Sequence, residues 1–538
     1  MKTITKRAMK YLRVFSILVA IFIINACSED FLNVKNENNL SENNFYKTAD
    51  DFEHLMITCY MPLAFSNLYG NSFHVLHYAL DDRVLHEQFA TQNLQFDATN
   101  GFIEDIFYGI YTGVYRCNLF FDKWPQDLAI DEERKNTMFG EVHFLRGLYY
   151  FHAAWLFEVP PLLKHIYEPN QLYGNSTQDS IYDYAESELQ LSIGLLPEVW
   201  DDENVGRATK GAAMAFLAKT YLYRQKWQEA ADMFKQVMDL GIYELSMPVG
   251  TDSLDYVWAY LCNFSHLDLP APGHTYTAEH NSEYIFDVEF SEAYTQGFDR
   301  AGVYLPGRRE TGSHLSWYNS FINGYKNIAL DDDKFPAEFE SPASHPAGLK
   351  KDPRYYAIYI WMGDTLDYRP DSPLRYEVLK AGDLNSALQT NAGLRKYYYP
   401  FNITYYNQYA PYHDAKNWRL IRYADVLLMY AEAVLRAEGT ESTTNVDALN
   451  AINHVRNRAG LDPLTSVTKN AIIHERDIEL CAEHQRFWDL VRWYKSGWLT
   501  IDEVREHKPY FQPRHVCLPI PLTEINNMKG RLKQNEKW

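Results

Sequence analysis

Cysteine is scarce in this chain, and its spacing is irregular. Six cysteines occur in 538 residues, and no two of them have CxxC spacing. Five remain when Cys27 is set aside, and an odd number cannot be paired completely, so a full disulfide framework is excluded. We interpret the five as small buried hydrophobic residues: they are Cys59, Cys117, Cys262, Cys481 and Cys517.

Basic charge and long hydrophobic runs are also lacking. The chain has 51 Lys and Arg against 71 Asp and Glu, which gives a net charge of −20. An acidic surface repels nucleic acids and anionic lipids, so neither is an expected partner. The apolar run over 14–24 is shorter than the roughly 20 residues that span a bilayer, and no later run is long enough.

Motifs of the common enzyme classes are missing. The chain contains no HExxH, no GxSxG, no phosphate-binding loop and no GxGxxG. Its 18 histidines show no metal-ligand spacing beside a Cys or carboxylate cluster. Three aspartates over 331–333 lack the alternating ligands and the glycine of a calcium loop, so a solvated loop is expected there and calcium is the alternative. We therefore expect no catalytic activity, no metal and no cofactor.

The N-terminus predicts export and lipid attachment. Residues 1–13 carry five basic residues and no acid, the apolar run follows, and Ala26 precedes Cys27. This order is typical of a signal peptide over 1–26, and a cysteine in this place resembles a lipobox, in which the thiol is acylated. The alternative is an ordinary signal peptide that precedes a cysteine by chance. The acidic residues after Cys27 resemble a surface-export signal, so we expect a lipid-anchored protein on the cell surface with a tether over 27–44.

Hydrophobic periodicity predicts a mainly α-helical fold with an irregular second lobe. Helical patterns dominate about 45–244 and 416–500. The lobe between them, about 245–415, is rich in Gly, Pro and Tyr and contains short strand-like runs such as 283–290 and 355–361. We therefore expect the chain to form one fold over 45–538, with the lobe inserted between two helical blocks.

A tetratricopeptide-like pattern lies within the helical blocks. Residues 211–244 match the offsets of this repeat, in which small residues let two helices approach closely: the matching residues are Leu217, Ala218, Tyr221, Ala230, Phe234 and Val237. A second repeat begins with a helix over Tyr423–Glu438, and further helices are expected over 141–157 and 181–196. Together they predict a superhelix of helix pairs.

Several stretches, in sequence order, carry a resemblance to a known family. The most specific is Arg422 to Ala433, and the others are Glu141 to Tyr150, Val159 to Leu162, Arg207 to Ala213, Lys351 to Arg354, Val455 to Gly460, Glu475-Arg476, Glu479-Leu480, Arg486 to Trp493, Leu518 to Pro521 and Gln534-Asn535. Their order and spacing cover nearly the whole chain, which resembles the SusD/RagB-like proteins. One departure is Gln485, which stands where the family usually has a glycine.

The resemblance implies a fold and a function. The fold is a row of four tetratricopeptide-like helix pairs packed under a variable lobe. The function is that of a surface lipoprotein of the outer membrane, which captures an oligosaccharide or polysaccharide and delivers it to a SusC-like TonB-dependent transporter. The alternative is an interaction subunit of the transporter complex, built on the repeats, that handles a peptide or another non-glycan nutrient.

Seven charged residues of the matched motifs are predicted to form structural ion pairs. They fall on apolar helices, where a charge is tolerated only beside a partner of opposite sign. We prefer this structural role to a catalytic one. The residues are Arg422, Asp425, Glu432, Arg476, Glu479, Arg486 and Asp489.

Two segments have the composition of a glycan site, which combines an exposed ring with side chains that hydrogen-bond hydroxyl groups. The first gives the candidates Tyr69, Asn71, Phe73, His74, Asp82 and Arg83. The second gives Tyr304, Arg308, Arg309, Trp317 and Tyr318. Their positions rest on loop composition and on approximate placement in the family.

Alternatives remain open for several of these residues. Trp317 is either an exposed ligand platform or a core residue, and for Tyr69 and Tyr304 a core or plain surface position is favoured. The adjacent Arg308 and Arg309 fit either a surface salt bridge, which is favoured, or an anionic sugar. The sequence does not identify the ligand.

Overall fold

The computed structural model describes residues 46–86, 88–168, 170–265, 268–271, 273–290, 328–342, 344–361, 365–367, 376–378, 390–397 and 417–538. All structural statements below concern these residues. The predicted signal peptide, Cys27 and the tether lie outside them.

Helices account for most of the described chain. In order they are α1 Ala49–Ala64, α2 Ser72–Leu80, α3 Phe89–Gln92, α4 Gly101–Lys123, α5 Glu132–Phe157, α6 Gln178–Ile193, α7 Lys210–Tyr223, α8 Trp227–Asp239, α9 Ser253–Leu261, α10 Phe335–Glu338, α11 Pro353–Ile358, α12 Tyr423–Glu438, α13 Val446–Arg458, α14 Lys469–Glu479, α15 Arg486–Lys495, α16 Ile501–His507 and α17 Leu522–Asn527.

The strands are short and pair two by two. They are β1 Val84–His86, β2 Leu269–Ala271, β3 His274–Tyr276, β4 Tyr284–Val288, β5 Ile328–Leu330, β6 Tyr359–Trp361, β7 Thr365–Asp367, β8 Tyr376–Val378, β9 Ala392–Leu394, β10 Trp418–Arg422, β11 Ser442–Thr443 and β12 Val467–Thr468. The antiparallel pairs are β1 with β5, β2 with β3, β4 with β10, β6 with β9, β7 with β8, and β11 with β12.

Eight helices form a continuous row. In the row, α1 packs on α4, α4 on α5, α5 on α6, α6 on α7, α7 on α8, α8 on α12 and α12 on α13. The lobe is inserted in the sequence between α8 and α12, but these two helices still pack against each other, so the row is continuous. This arrangement confirms the predicted superhelix of helix pairs, and four pairs fit within it.

Local sequence explains where the helices of the row begin and how closely they pack. Five helices of the row are capped by the residue that precedes them, whose side-chain oxygen accepts a hydrogen bond from a backbone N–H of the first turn. The capping residues are Thr48, Asn100, Asp131, Thr177 and Thr209. Each such cap stabilises a helix by about 1 kcal/mol. In α4, a Cβ at Gly113 would lie 2.2 Å from the ring of Tyr149, so only glycine allows α4 and α5 to approach this closely.

Two predictions of secondary structure need correction. Residues 355–361 were expected to form one strand, but 353–358 are helical because Asp352 caps the backbone N–H of Arg354 and Pro353 occupies the first turn; only Tyr359–Trp361 is a strand. In the second helical block, 418–422 is a strand rather than a helix and pairs with β4. That pairing joins the lobe to the start of α12.

The largest hydrophobic cluster of the described residues extends through the helical row, and a small separate cluster is formed by Ala259, Cys262 and Tyr276. The five cysteines after Cys27 are free and buried, as the sequence predicted. Across the described residues, none of the helices combines the length and the apolar character needed to cross a membrane.

Candidate functional site

Three of the predicted ligand contacts are core residues. The side chains of Tyr69, Phe73 and His74 are 2%, 3% and 0% exposed. The hydroxyl of Tyr69 hydrogen-bonds Nε2 of His152 at 2.7 Å, and the ring of Phe73 stacks on His77. The structure therefore corrects the assignment of these residues as ligand contacts, because the helix α2 that carries two of them is buried on every side.

Asn71, at the start of α2, keeps part of its side chain at the surface. It precedes the helix without a side-chain capping bond. Its role as a ligand contact stays a prediction.

Asp82 and Arg83 are held in ion pairs. The guanidinium of Arg83 contacts the carboxylates of Asp477 and Glu338, and Oδ1 of Asp82 accepts a hydrogen bond from Nε of Arg486 at 3.0 Å. Arg83 is 5% exposed, so its assignment as a ligand contact is also corrected. Asp82 borders a surface pocket, which is described below.

The second predicted segment cannot be placed. Its candidates lie outside the described residues and keep the status of predictions: they are Tyr304, Arg308, Arg309, Trp317 and Tyr318.

Arg422 is the centre of a buried ion-pair cluster. Its Nη1 donates to Glu283 and Glu479 at 2.7 Å each, and its Nε donates to Glu483 at 2.8 Å. Arg458 contacts Glu283 and Glu479 as well. Strand β10, the lobe and helices α13 and α14 are thereby joined through charges that have almost no access to water.

A second buried cluster links α12, α14 and α15. Arg476 donates from Nη1 to Asp425 and from Nε to Asp489, each at 2.8 Å. Asp489 also accepts from Nε of Arg492 at 2.8 Å, and Nη2 of Arg492 donates to Glu432 at 2.7 Å. Positive and negative groups alternate along the cluster, so each carboxylate faces a guanidinium.

The pairing controls the protonation of the buried acids. Burial by itself would raise the pKa of Asp425, but the charges of Lys219 and Arg476 outweigh it and lower that pKa to about 2. Burial is outweighed in the same way at Glu479, where Arg458, Arg422 and Arg354 lower the pKa well below its usual range. Asp425 and Glu479 therefore stay ionised over the physiological pH range. All seven residues of the predicted structural set lie in such ion pairs; that their role is stability alone stays a prediction.

A surface pocket lies between the end of α3 and the end of α16. It holds about 410 Å³ of space open to solvent. We call it the Asn93–Tyr510 pocket, and its lining residues are Asp82, Gln92, Asn93, Leu94, His507, Lys508, Pro509 and Tyr510. The ring of Tyr510 is 56% exposed, so the pocket places an aromatic face beside amide and carboxylate groups.

Polar contacts hold Gln92, His507 and Asp82 in place in the pocket wall. Nε2 of Gln92 donates to the carbonyl of Val84 at 3.2 Å, which ties α3 to β1. Nδ1 of His507 lies 3.1 Å from Oδ2 of Asp82. The side-chain amide of Asn93 makes no hydrogen bond within the described part of the chain. The pocket therefore combines a rigid wall with one amide that can bind a ligand.

Charge at the pocket is balanced. Burial would raise the pKa of Asp82, but the guanidinium groups of Arg486 and Arg83 outweigh it and hold the pKa well below its usual range. Burial lowers the pKa of Lys508 from 10.5 to about 8. Asp82 is thus ionised and already paired with protein cations, which leaves the pocket suited to an uncharged polar ligand.

Sequence reasoning missed Gln92, Asn93 and Tyr510. An exposed tyrosine after Pro509 was a signal, because a ring in a proline-containing turn at the end of a helix often lies at the surface. Nothing in the sequence placed that ring near Asn93, which is more than 400 residues away along the chain.

Comparisons with known proteins agree with this architecture. A family model described as the SusD family matches residues 282–538, and one described as starch-binding associating with outer membrane matches residues 30–222. The SusD-like protein P25 of Formosa agariphila is 24% identical over 96% of this chain and 97% of its own length. A SusD-like protein of Bacteroides ovatus is 24% identical over 87% of this chain and 80% of its own.

Solved structures show the same fold. A crystal structure of a SusD-like protein from Bacteroides fragilis has a TM-score of 0.70 at 21% identity and covers 93% of this chain and 99% of its own. A laminarin-binding SusD-like protein has a TM-score of 0.69 at 22% identity, with coverages of 92% and 100%. Identity this low establishes the fold alone. The two family models, which together span most of the sequence, establish that the chain belongs to the SusD family.

Proposed function

We propose that this protein is a cell-surface lipoprotein that captures a glycan and delivers it to a SusC-like TonB-dependent transporter of the outer membrane. The observation that carries the proposal is the Asn93–Tyr510 pocket on a SusD scaffold. Its exposed ring and the available Asn93 amide match the two parts of a sugar, an apolar face and a rim of hydroxyl groups.

The ligand contacts follow from this geometry. A pyranose ring stacks on the exposed face of Tyr510, and its hydroxyl groups exchange hydrogen bonds with the amide of Asn93. Because Asp82 is already paired with Arg486, it does not bring an unpaired charge to the ligand. The site therefore favours a neutral glycan over a charged one.

The predicted second segment supplies further contacts in this proposal. Its candidates, Trp317 among them, lie outside the described residues, and their contact with the ligand rests on the sequence. Replacement of Trp317 by alanine is expected to lower glycan affinity at least tenfold.

The anchor and the transporter rest on the sequence and on family membership. The basic and apolar start of the chain and Cys27 support acylation, and the acidic residues that follow support display at the surface. One family model is described as associating with the outer membrane. The protein itself carries no reaction in this proposal; it binds and passes on its ligand.

Affinity electrophoresis of residues 28–538 tests the proposal. Native gels containing laminarin, amylopectin, xyloglucan or β-mannan are compared with a gel without polysaccharide. Retardation by one class of polysaccharide is the expected result. A folded protein whose mobility is unchanged in every gel contradicts glycan capture and favours the alternative of a non-glycan ligand handled by the transporter complex.

A further inference from the structure

A second concave site lies far from the Asn93–Tyr510 pocket in sequence and shares no residue with it. It holds about 680 Å³ of space open to solvent, between the loop over 198–209, the end of α8 and the start of β4. We call it the Trp200 groove. Volumes of about 300–1,000 Å³ with mostly apolar walls are typical of sites for small molecules.

One wall of the groove is a tryptophan held in a fixed position. Nε1 of Trp200 donates a hydrogen bond to the carbonyl of Ala208 at 2.8 Å. The guanidinium of Arg207 lies 4.5 Å from the centre of the indole ring, and its Nε is itself bound to Glu141 at 2.9 Å. The ring is therefore positioned before any ligand arrives, which lowers the entropic cost of binding.

Two tyrosines also line the groove. The hydroxyl of Tyr243 lies 3.4 Å from Oγ1 of Thr209, and a Cβ at Gly211 would come within 2.1 Å of that hydroxyl, so the glycine makes room for the ring. The ring of Tyr284 meets His280 edge to face, with the ring centres 5.1 Å apart. The groove thus presents aromatic surface from Trp200, Tyr243 and Tyr284.

The rim of the groove is polar and acidic. Glu198 and Ser282 line it and are exposed, and the exposed residues 201–203, two aspartates and a glutamate, belong to the same loop. The carboxylate of Glu198 is paired with Lys210 at 3.0 Å, and those of 201–203 repel an anionic ligand. Aromatic walls with a rim of hydrogen-bonding groups suit an uncharged ligand that has one apolar face and many hydroxyl groups.

We propose that the Trp200 groove is a second glycan-binding site, which holds a neutral sugar ring between Trp200 and Tyr243. The proposal rests on the glycan-capturing function and adds a second contact to it. A polysaccharide that engages more than one site on the protein gains affinity over a short oligosaccharide, because the second contact is intramolecular.

The test uses a variant that fills the groove from its exposed edge. Ser282→Trp adds a large side chain at a position where the serine side chain contacts solvent, so the fold is retained. Ser442→Trp is the matched control, since Ser442 is also exposed and does not line the groove. Both are also made in a Tyr510→Ala background, in which the first pocket is weakened.

Binding is measured by affinity electrophoresis on laminarin, amylopectin, xyloglucan and β-mannan, and melting temperatures confirm folding. We expect Ser282→Trp to weaken retention by the bound polysaccharide at least threefold alone and to abolish the retention left in Tyr510→Ala, while Ser442→Trp has no effect. Equal retention of Ser282→Trp and Ser442→Trp in both backgrounds overturns the groove proposal and leaves glycan capture intact. Wild-type protein that is retained by none of the four polysaccharides overturns both.

Discussion

Arg422 and Tyr510 lie in two regions of this molecule that differ in how far their polar and aromatic groups are buried and paired. At Arg422, the guanidinium donates to three buried glutamates, and its own side chain is almost inaccessible to water. At Tyr510, the ring is more than half exposed, and the nearby Asn93 amide makes no hydrogen bond within the described part of the chain. The charges around Arg422 are paired within the protein, and the pocket leaves some of its groups available.

This difference in burial indicates that the Arg422 region contributes to stability and the Tyr510 region to binding. A buried charge that loses its partner costs about 3–5 kcal/mol, because the remaining group is neither hydrated nor paired. An exposed ring contributes little to folding, and its contact area becomes useful when a ligand covers it. Variants in the two regions should therefore change different measurements.

The largest effect is expected for Arg476→Ala. The change removes one of the two cations that pair with each of Asp425 and Asp489 and leaves both acids buried, so the free energy of unfolding should fall by up to about 3–5 kcal/mol. Chemical denaturation measures this loss. Glycan affinity of the folded fraction should stay unchanged, and a variant with normal stability and weakened binding would refute the structural role.

A smaller effect per residue is expected from pH. Burial lowers the pKa of His77 to about 3 and those of His86 and His152 to about 4, and it lowers that of His484 well below its usual range. The unfolded chain binds protons at these histidines below about pH 6.5 while the folded chain does not, so stability is lost as the pH falls from 6.5 toward the folded values.

Each such histidine contributes up to about 1.4 kcal/mol per pH unit in that window. Asp81 and Asp287 act in the opposite direction, because burial raises their pKa values to about 7 and about 6, but the four histidines outnumber them. Denaturation at pH 7 and pH 5 measures the difference. His484→Gln should reduce the slope of stability against pH. An unchanged slope would show that His484 binds its proton equally well in the folded and the unfolded chain.

The third effect concerns binding. Tyr510→Ala should weaken glycan affinity about tenfold, which is about 1.4 kcal/mol, and should leave the melting temperature unchanged because the ring is exposed. Val446→Ala is the control, since Val446 is 69% exposed and lies on α13. Affinity electrophoresis compares the two. Equal retention of both variants would remove Tyr510 from the site.

The smallest effect is expected at a surface ion pair. Lys135 lies 3.4 Å from Glu132 on the exposed side of α5, and such pairs contribute at most about 0.5 kcal/mol. Lys135→Ala should therefore leave the denaturation midpoint almost unchanged. If Lys135→Ala lost as much free energy of unfolding as Arg476→Ala, exposed and buried ion pairs would contribute equally to stability, which would contradict the comparison.

Much of the helical scaffold could be predicted from the sequence. The helix Tyr423–Glu438 has the bounds that its apolar pattern indicated, because its apolar residues recur at helical spacing and Gly439 ends it in a left-handed conformation. Charges on apolar helices also indicated buried partners. The identity of those partners could not be predicted: Glu283, which pairs with Arg422, comes from the lobe 139 positions earlier in the chain.

The candidate site was harder to predict. The segment around Tyr69 has the Asn and Gly content of an exposed loop, yet the following helix turns Phe73 and His74 into the core. Local composition does not show what packs over a segment from elsewhere in the chain. The Asn93–Tyr510 pocket was missed for the same reason, since its two ends meet only in the folded protein.

Isothermal titration of residues 28–538 with an oligosaccharide of the polysaccharide that retains the protein tests the central claim most directly. The wild-type protein is compared with an Asn93→Ala/Tyr510→Ala double variant of equal melting temperature. The account predicts saturable binding by the wild type and an affinity at least tenfold lower for the double variant. Equal affinities for the two proteins would contradict it.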